Sequence, residues 1–236
     1  MVIVHHIGGI SGSRLTILRS AGKRFVAGRK GSMRDYDGKT AAERVTERRD
    51  KLIEAGFELF GQHGYAGTSI RAVLRQSGLI DRYWAENFAD LDSLLAAVYD
   101  RIIDEELAAC RAAIEATSGR SEAARVMIDT IAGFLEDDPY RARIHLSEVL
   151  SGGPVSREQR RKGFYKLAQL VADLLPATPG DDSRQRLMLG VAVVGAADEY
   201  LRAWLDDREG MTRNDVIDLV MLVFDSVARC LIPSPA

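Results

Sequence analysis

Ala55–Val98 reads A-G-F-E-L-F-G-Q-H-G-Y-A-G-T-S-I-R-A-V-L-R-Q-S-G-L-I-D-R-Y-W-A-E-N-F-A-D-L-D-S-L-L-A-A-V, and its punctuation decides the fold. Leu52, Ile53, Gly56, Phe57, Leu59 and Phe60 recur with helical spacing, while Arg48, Arg49, Glu54 and Glu58 fall elsewhere. That spacing predicts a first helix over about Ala41 to Gly61. Gly61, Gly64 and Gly67 then interrupt the chain, and Thr68 or Ser69 suits the N-cap of a short second helix through about Gln76. Gly78 supplies a permissive turn before a third short helix over about Asp81 to Asn87. Two short helices joined by a tight glycine turn form a helix-turn-helix. In such a pair one helix enters a major groove about 12 Å wide when the other braces it. Phe57, Phe60, Tyr65, Ile70, Val73, Leu74, Leu79, Trp84 and Phe88 are the predicted bracing core. Asp81, Arg82, Tyr83, Glu86 and Asn87 are left on the outside of the third helix, with Thr68, Ser69, Arg71 and Arg75 flanking the second.

Outward from this stretch the periodicity stays helical from Thr40 on, and no window alternates with period two, so the expected fold class is all-α. A long helix should open near Asp90, whose carboxylate, with that of Asp92, suits the positive end of a helix dipole. Further helices are expected at about Glu122–Asp137, Pro139–Leu150, Ser156–Leu175, Ser183–Asp207 and Asn214–Leu231. Between them lie Asp137-Asp138-Pro139, Ser151-Gly152-Gly153-Pro154, Pro176 to Asp182, and Gly210. The expected division is a basic, disordered arm over 1–39, a helix-turn-helix domain over 40–90, and a helical-bundle domain over 91–236.

The whole chain is 236 residues, 46% hydrophobic and 28% charged, which is ordinary globular usage. Thirty-two basic against 34 acidic residues give a net charge of −2, so any nucleic-acid partner must be met locally. The charge is uneven: residues 1–49 hold 11 basic and four acidic residues, net +7, leaving −9 for the remaining 187. Residues 50–95 hold four basic and seven acidic residues, net −3. Residues 1–34 carry no acid and divide into an apolar Met1–Ile10 and a stretch with Arg14, Arg19, Lys23, Arg24, Arg29 and Lys30. Three readings of this arm stand side by side: a DNA-tracking tail, an Arg-rich targeting segment, or residues upstream of a natural start at Met33. Cys110 and Cys230 lie far apart without C-x-x-C spacing, which gives neither a disulfide framework nor a zinc pattern. No uncharged apolar run approaches the roughly 18 residues of a membrane span. The expected setting is the cytoplasm, with no membrane partner.

Residues 55–98 resemble the DNA-binding domain of the TetR/AcrR family of bacterial transcription regulators. The resemblance rests on Phe57-Glu58-Leu59-Phe60, His63-Gly64-Tyr65, Thr68-Ser69-Ile70-Arg71, Gly78-Leu79, Phe88 and Leu94-Leu95, in order and at matching intervals. It extends back through Arg34-Asp35-Tyr36 and Ala41-Glu43-Arg44 to Glu47-Arg48-Arg49. The resemblance implies a double-stranded DNA operator, groove-facing positions at Ile80 to Tyr83, Ala85 and Asn87, and phosphate contacts from groups such as Thr68. The expected DNA-binding residues are Thr68, Ser69, Arg71, Asp81, Arg82, Tyr83 and Asn87. Three positions depart from the family pattern. Ile80 stands where a Ser or Thr cap is usual, Ala85 where a phosphate-binding Tyr is common, and Leu91 where a Lys is frequent. The first forfeits a capping bond of about 1 kcal/mol.

The C-terminal half cannot bury its apolar faces on so small a head, so it should form its own bundle, a dimer, or both. The resemblance implies a homodimer through the last two helices, with Gly190, Val194, Ala197, Leu219, Leu222 and Val223 as interface candidates; the other reading is an intramolecular core. A bundle interior also houses ligands, and the family implies a small-molecule effector there. Phe134, Tyr140, Arg143, His145, Phe164, Tyr165, Met188, Glu199 and Trp204 mix aromatic walls with polar anchors and are the candidates for lining its pocket. His145 and Glu148 lie one turn apart but lack a third and fourth metal ligand. Gly8, Gly9 and Gly12 miss the G-x-G-x-x-G spacing of a dinucleotide turn. No nucleophile with an identifiable base occurs, and nothing calls for a cofactor, so an enzyme is not expected. The reading is a repressor tuned by an effector. The alternative is a dimer of the same fold that has lost strong DNA binding and serves as a ligand-binding or protein-interaction module.

Overall fold

A computed structural model describes residues 40–177, 182–206 and 210–231; the basic arm expected over 1–39, and its three readings, lie outside the described residues. Every described element is helical, as the periodicity predicts. Helix α1 (Ala41–His63) opens on a capping box: Thr40 Oγ1 accepts from the Glu43 amide at 3.2 Å, and Glu43 Oε2 accepts from the Thr40 amide at 2.6 Å. Ser69 caps α2 (Ile70–Ser77), which ends at Gly78 in the left-handed conformation that the turn needs, φ 68°. Helix α3 (Asp81–Ala85) follows, and Ile80 gives its N-terminus no side-chain cap. The helix stops short of Asn87, whose amide Nδ2 donates to the Tyr83 carbonyl at 2.7 Å within the closing turn. Asp90 and Ser93 then form a second capping box under α4 (Leu91–Glu115).

The first core joins these helices. Phe60, Val73, Leu74, Trp84 and Phe88 are buried as predicted, while Phe57, Tyr65, Ile70 and Leu79 pack half-buried at its margin. It also takes in Leu94, Leu95, Val98 and Ile102 of α4, and Ile144 from far along the chain. The described residues fall in one compact unit, with α4 running from the first core into a second.

That second core is built by α4, α5 (Arg120–Glu136), α8 (Pro154–Leu174), α9 (Ser183–Leu205) and α10 (Arg213–Leu231). Between α5 and α8 the expected single helix is divided into α6 (Pro139–Arg143), a π-helical turn (Ile144–Glu148) and α7 (Val149–Ser151). The wide turn sets Arg143 and Glu148, five residues apart, in a 2.9 Å ion pair. Helices α8 and α9 cross closely at Gly190, where a Cβ would collide with the Ala168 carbonyl oxygen.

The start of α8 is pinned by α4. Asp92 is 6% exposed, and its carboxylate accepts from the amides of Gly153 (2.8 Å), Val155 (2.8 Å) and Ser156 (3.2 Å). Burial alone would raise its pKa, but bonds from Ser156, Val155 and Gly153 outweigh burial and hold it below 3.8. Its stabilisation is therefore complete above the ordinary aspartate pKa and is lost as pH falls through the lower folded value. Asp92→Ala leaves those amides without their acceptor and should lower unfolding free energy by about 1–3 kcal/mol in urea titrations at neutral pH. An unchanged midpoint would show that water replaces the carboxylate without cost.

Candidate functional site

The exposed side of the helix-turn-helix is assembled from α2, α3 and the first half of α1. On α3 the Arg82 side chain is 78% exposed and is held along the helix by Glu86, 2.9 Å from its Nε. Asp81 is exposed beside it, as are Ser69, Arg71 and Arg75 around α2. Tyr83 and Asn87 are half-buried because α1 reaches over them. The Arg48 guanidinium stacks on the Tyr83 ring 4.3 Å from its centroid, and Arg49 donates to the Asn87 carbonyl at 3.2 Å while covering Phe88 at 4.5 Å. Arg48 and Arg49 were not among the expected site residues; their place in the Glu47-Arg48-Arg49 run was the available signal. Ile80, 61% exposed, presents an apolar side chain at the start of α3.

Thr68 departs from its expected part. It is 8% exposed, and its hydroxyl donates to the carbonyls of Gly64 (2.8 Å) and Leu59 (3.3 Å), so it fastens the loop between α1 and α2 and is turned away from a phosphate. Five of the seven expected residues, Ser69, Arg71, Asp81, Arg82 and Tyr83, share the outer side of the motif; Asn87 joins them with its side-chain amide committed to Tyr83.

A narrow cavity of about 40 Å³ lies in the second core, where α5, α8, α9 and α10 meet. Its walls are aliphatic apart from Phe224: Met127, Ile128 and Ile131 on one side, Leu167 and Val171 on another, Val193 and Leu201 opposite. Two acids reach it, Glu106 and Asp198. None of the nine expected pocket residues lines it. Phe134 stacks under Arg141, Tyr140 packs on Phe57, and Phe164 lies under Arg160. Tyr165 and Met188 are exposed, Glu199 pairs with Arg202 at the surface, and Trp204 packs half-buried on the outside of the core. Aromatic and polar residues stand out in the sequence as pocket candidates, whereas the cavity is made by aliphatic residues at positions that read as plain core.

His145 stands immediately behind the wall. Its Nδ1 lies 3.2 Å from Glu106 Oε2, with the two side chains 3% and 1% exposed. Burial alone would lower the His145 pKa, but the Glu106 carboxylate outweighs burial and raises it above 6.5. Asp198, raised chiefly by burial, pairs with Arg160 at 3.2 Å. Burial likewise pushes the Cys110 thiol up to about 12, so it is not a ready nucleophile. Among the described residues no group of three or more His, Cys, Asp and Glu is placed to hold a metal, and no helix is long and apolar enough to cross a membrane.

The π-helical turn that carries His145 also grips the head. Arg143 Nη1 donates to the carbonyls of Gly61 (3.0 Å) and Gln62 (3.2 Å), and Glu148 Oε2 accepts from the Tyr65 amide at 2.8 Å. One five-residue turn and its flanking arginine thus touch both the cavity's acid and the end of α1.

The six dimer candidates divide. Gly190, Val194 and Ala197 face inward against the protomer's own core, Leu219 and Val223 are half-buried, and Leu222 is 61% exposed. Met188, Ala192, Gly195 and Leu222 mark the outer face of α9 and α10.

No protein-family model matches the chain. It is 22% identical over 194 residues to the HTH-type transcriptional activator FasR of Mycolicibacterium smegmatis, covering 81% of this chain and 89% of that protein. A TetR-family regulator structure from Syntrophomonas wolfei superposes with a TM-score of 0.64 at 14% identity, over 80% of this chain and 99% of that one. The transcriptional regulator FadR from Bacillus subtilis, solved in complex with stearoyl-CoA, superposes with a TM-score of 0.60 at 15% identity, over 78% and 99%. The fold is that of the TetR-family regulators, which bears out the resemblance carried by residues 55–98.

Proposed function

We propose, from a chain with the TetR-family fold, a transcriptional regulator that reads operator DNA and is tuned by a small molecule. The observation that carries this reading is the exposed Arg82 on a five-residue helix braced by α2 and clasped from α1 by Arg48 and Arg49. A guanidinium held at a helix surface with its tip in water matches bidentate recognition of a guanine edge. Ile80 beside it offers an apolar contact for a thymine methyl. Ser69, Arg71 and Arg75 are placed for phosphates, and Asp81 selects against groove positions that bring a phosphate close.

Residues 40–90 serve as the head and 91–236 as the effector and dimer domain. The protein works as a homodimer, pairing through the outward face of α9 and α10 around Met188 and Leu222. It acts as a repressor in the cytoplasm and carries out no catalysis. The effector enters the seam between α5, α8, α9 and α10. Filling it moves the Glu106–His145 contact, and the π-helical turn passes that movement to Gly61 and Tyr65. Such coupling is worth a few kcal/mol at most.

Hydroxyl-radical footprinting on DNA upstream of the protein's own gene tests this reading. Two protected half-sites about one helical turn apart are expected. Uniform reactivity along the DNA at saturating protein would contradict it.

A further inference from the structure

The first half of α1 brings two neighbouring arginines to the helix-turn-helix, and their donors are spent differently. Arg49 donates through Nη1 to the Asn87 carbonyl at 3.2 Å and covers the Phe88 ring at 4.5 Å, so its guanidinium is taken up in holding the turn after α3. Arg48 lies over Tyr83, 4.3 Å from the ring centroid, and its Nε donates to the Arg44 carbonyl at 3.0 Å within α1. That is its one hydrogen bond among the described residues, and no acid there pairs with it. Nη1 and Nη2 of Arg48 are therefore uncommitted at the edge of α3, over the residue that follows the exposed Arg82. The charge around them is adverse to DNA: α3 carries Asp81, Glu86 follows it and holds Arg82, and residues 50–95 are net −3. A cation that settles this face on a polyanion has to come from outside that segment.

We propose that Arg48 is a phosphate-binding residue of the DNA site, its fork held against the Tyr83 ring while Nη1 and Nη2 donate to a backbone phosphate beside the groove that α3 enters. Arg49, by contrast, serves the fold. The assignment rests on the DNA-binding reading above and adds to it a contact from outside the helix-turn-helix. A guanidinium fork matches two phosphate oxygens with charge-assisted bonds. Stacking on Tyr83 orders the side chain before DNA arrives, which reduces the rotamer freedom lost on binding. Arg48 stands on α1, which flanks α3 and does not itself enter the groove, so the part of the duplex it meets is the backbone rather than a base edge.

The test is fluorescence anisotropy of the full chain, across salt, on a duplex from upstream of its own gene and on a scrambled duplex of the same length. Arg48→Gln should weaken both duplexes by the same factor and flatten the slope of log affinity against log salt by about 0.9 per head. Arg48→Lys, which keeps the charge without the fork, should keep the slope. Arg49→Gln should lower the melting temperature and leave the slope at the wild-type value. Arg48→Met, run beside these, keeps the assignment testable should Arg48→Gln melt below the assay temperature. An unchanged slope in Arg48→Gln and Arg48→Met overturns the assignment, because a side chain that merely packs on Tyr83 releases no counterion. A loss confined to the upstream duplex also overturns it, by making Arg48 a base reader. Equal flattening in Arg49→Gln overturns the division between the two arginines. Wild-type protein that binds both duplexes alike overturns sequence-specific reading and leaves the Arg48 slope to decide this assignment alone; binding to neither duplex overturns both.

Discussion

His145→Leu lowers the stability of the folded protein by about 3–5 kcal/mol, read from urea titrations with intact secondary structure as the baseline. The Glu106 carboxylate, 1% exposed, then has no counter-charge within the core, and the protein must either bury an unpaired anion or protonate it. The paired change His145→Leu with Glu106→Leu should recover most of the loss, because two apolar side chains replace a buried ion pair at little or no cost. The wild-type pair also has a pH signature. Its histidine pKa is raised on folding, so its contribution is complete below the ordinary value of 6.5 and disappears as pH rises through the higher folded value. A single variant as stable as wild type, with unaltered pH dependence, would show the pair to be idle.

Arg82→Ala carries the largest expected effect on function. Each head loses about 1–3 kcal/mol of base discrimination, and a dimer loses it twice. Specific binding falls by roughly fivefold to about 150-fold per head, while the melting temperature is unchanged because the pair with Glu86 is exposed to water and contributes little to folding. Arg71→Ala behaves differently: it weakens all sequences equally and flattens the salt dependence by about 0.9 log unit per contact. Equal losses on operator and scrambled DNA for Arg82→Ala would return that residue to the phosphates.

The head was legible because local chemistry dictates it. The Thr40 and Asp90 capping boxes, the Ser69 cap and the αL turn at Gly78 are all written in neighbouring residues. Long-range geometry decides the rest. Thr68 has a residue type that suits a phosphate, but the carbonyls of Leu59 and Gly64 claim its hydroxyl. The small stripe at Gly190, Val194 and Ala197 announces close approach without saying which helix approaches, and α8 of the same protomer does. The π-helical turn at Ile144–Glu148 breaks a run whose periodicity reads as one helix, because Arg143 and Glu148 are drawn to α1 and to Tyr65. The cavity's lining is not legible in the sequence because a space is defined by side chains that fail to meet, and no single position records that. Glu106 sits unremarked among the charges of α4 until the fold buries it.

Sequence-specific operator binding is tested by fluorescence anisotropy of the full chain on labelled DNA from upstream of its own gene. The titration is repeated across salt with scrambled competitor. Submicromolar binding that resists the competitor, and that Arg82→Ala abolishes, is the predicted result. Binding that the competitor removes completely, steep in salt and indifferent to Arg82, would contradict it and leave the net +7 of residues 1–49 as the source of DNA affinity.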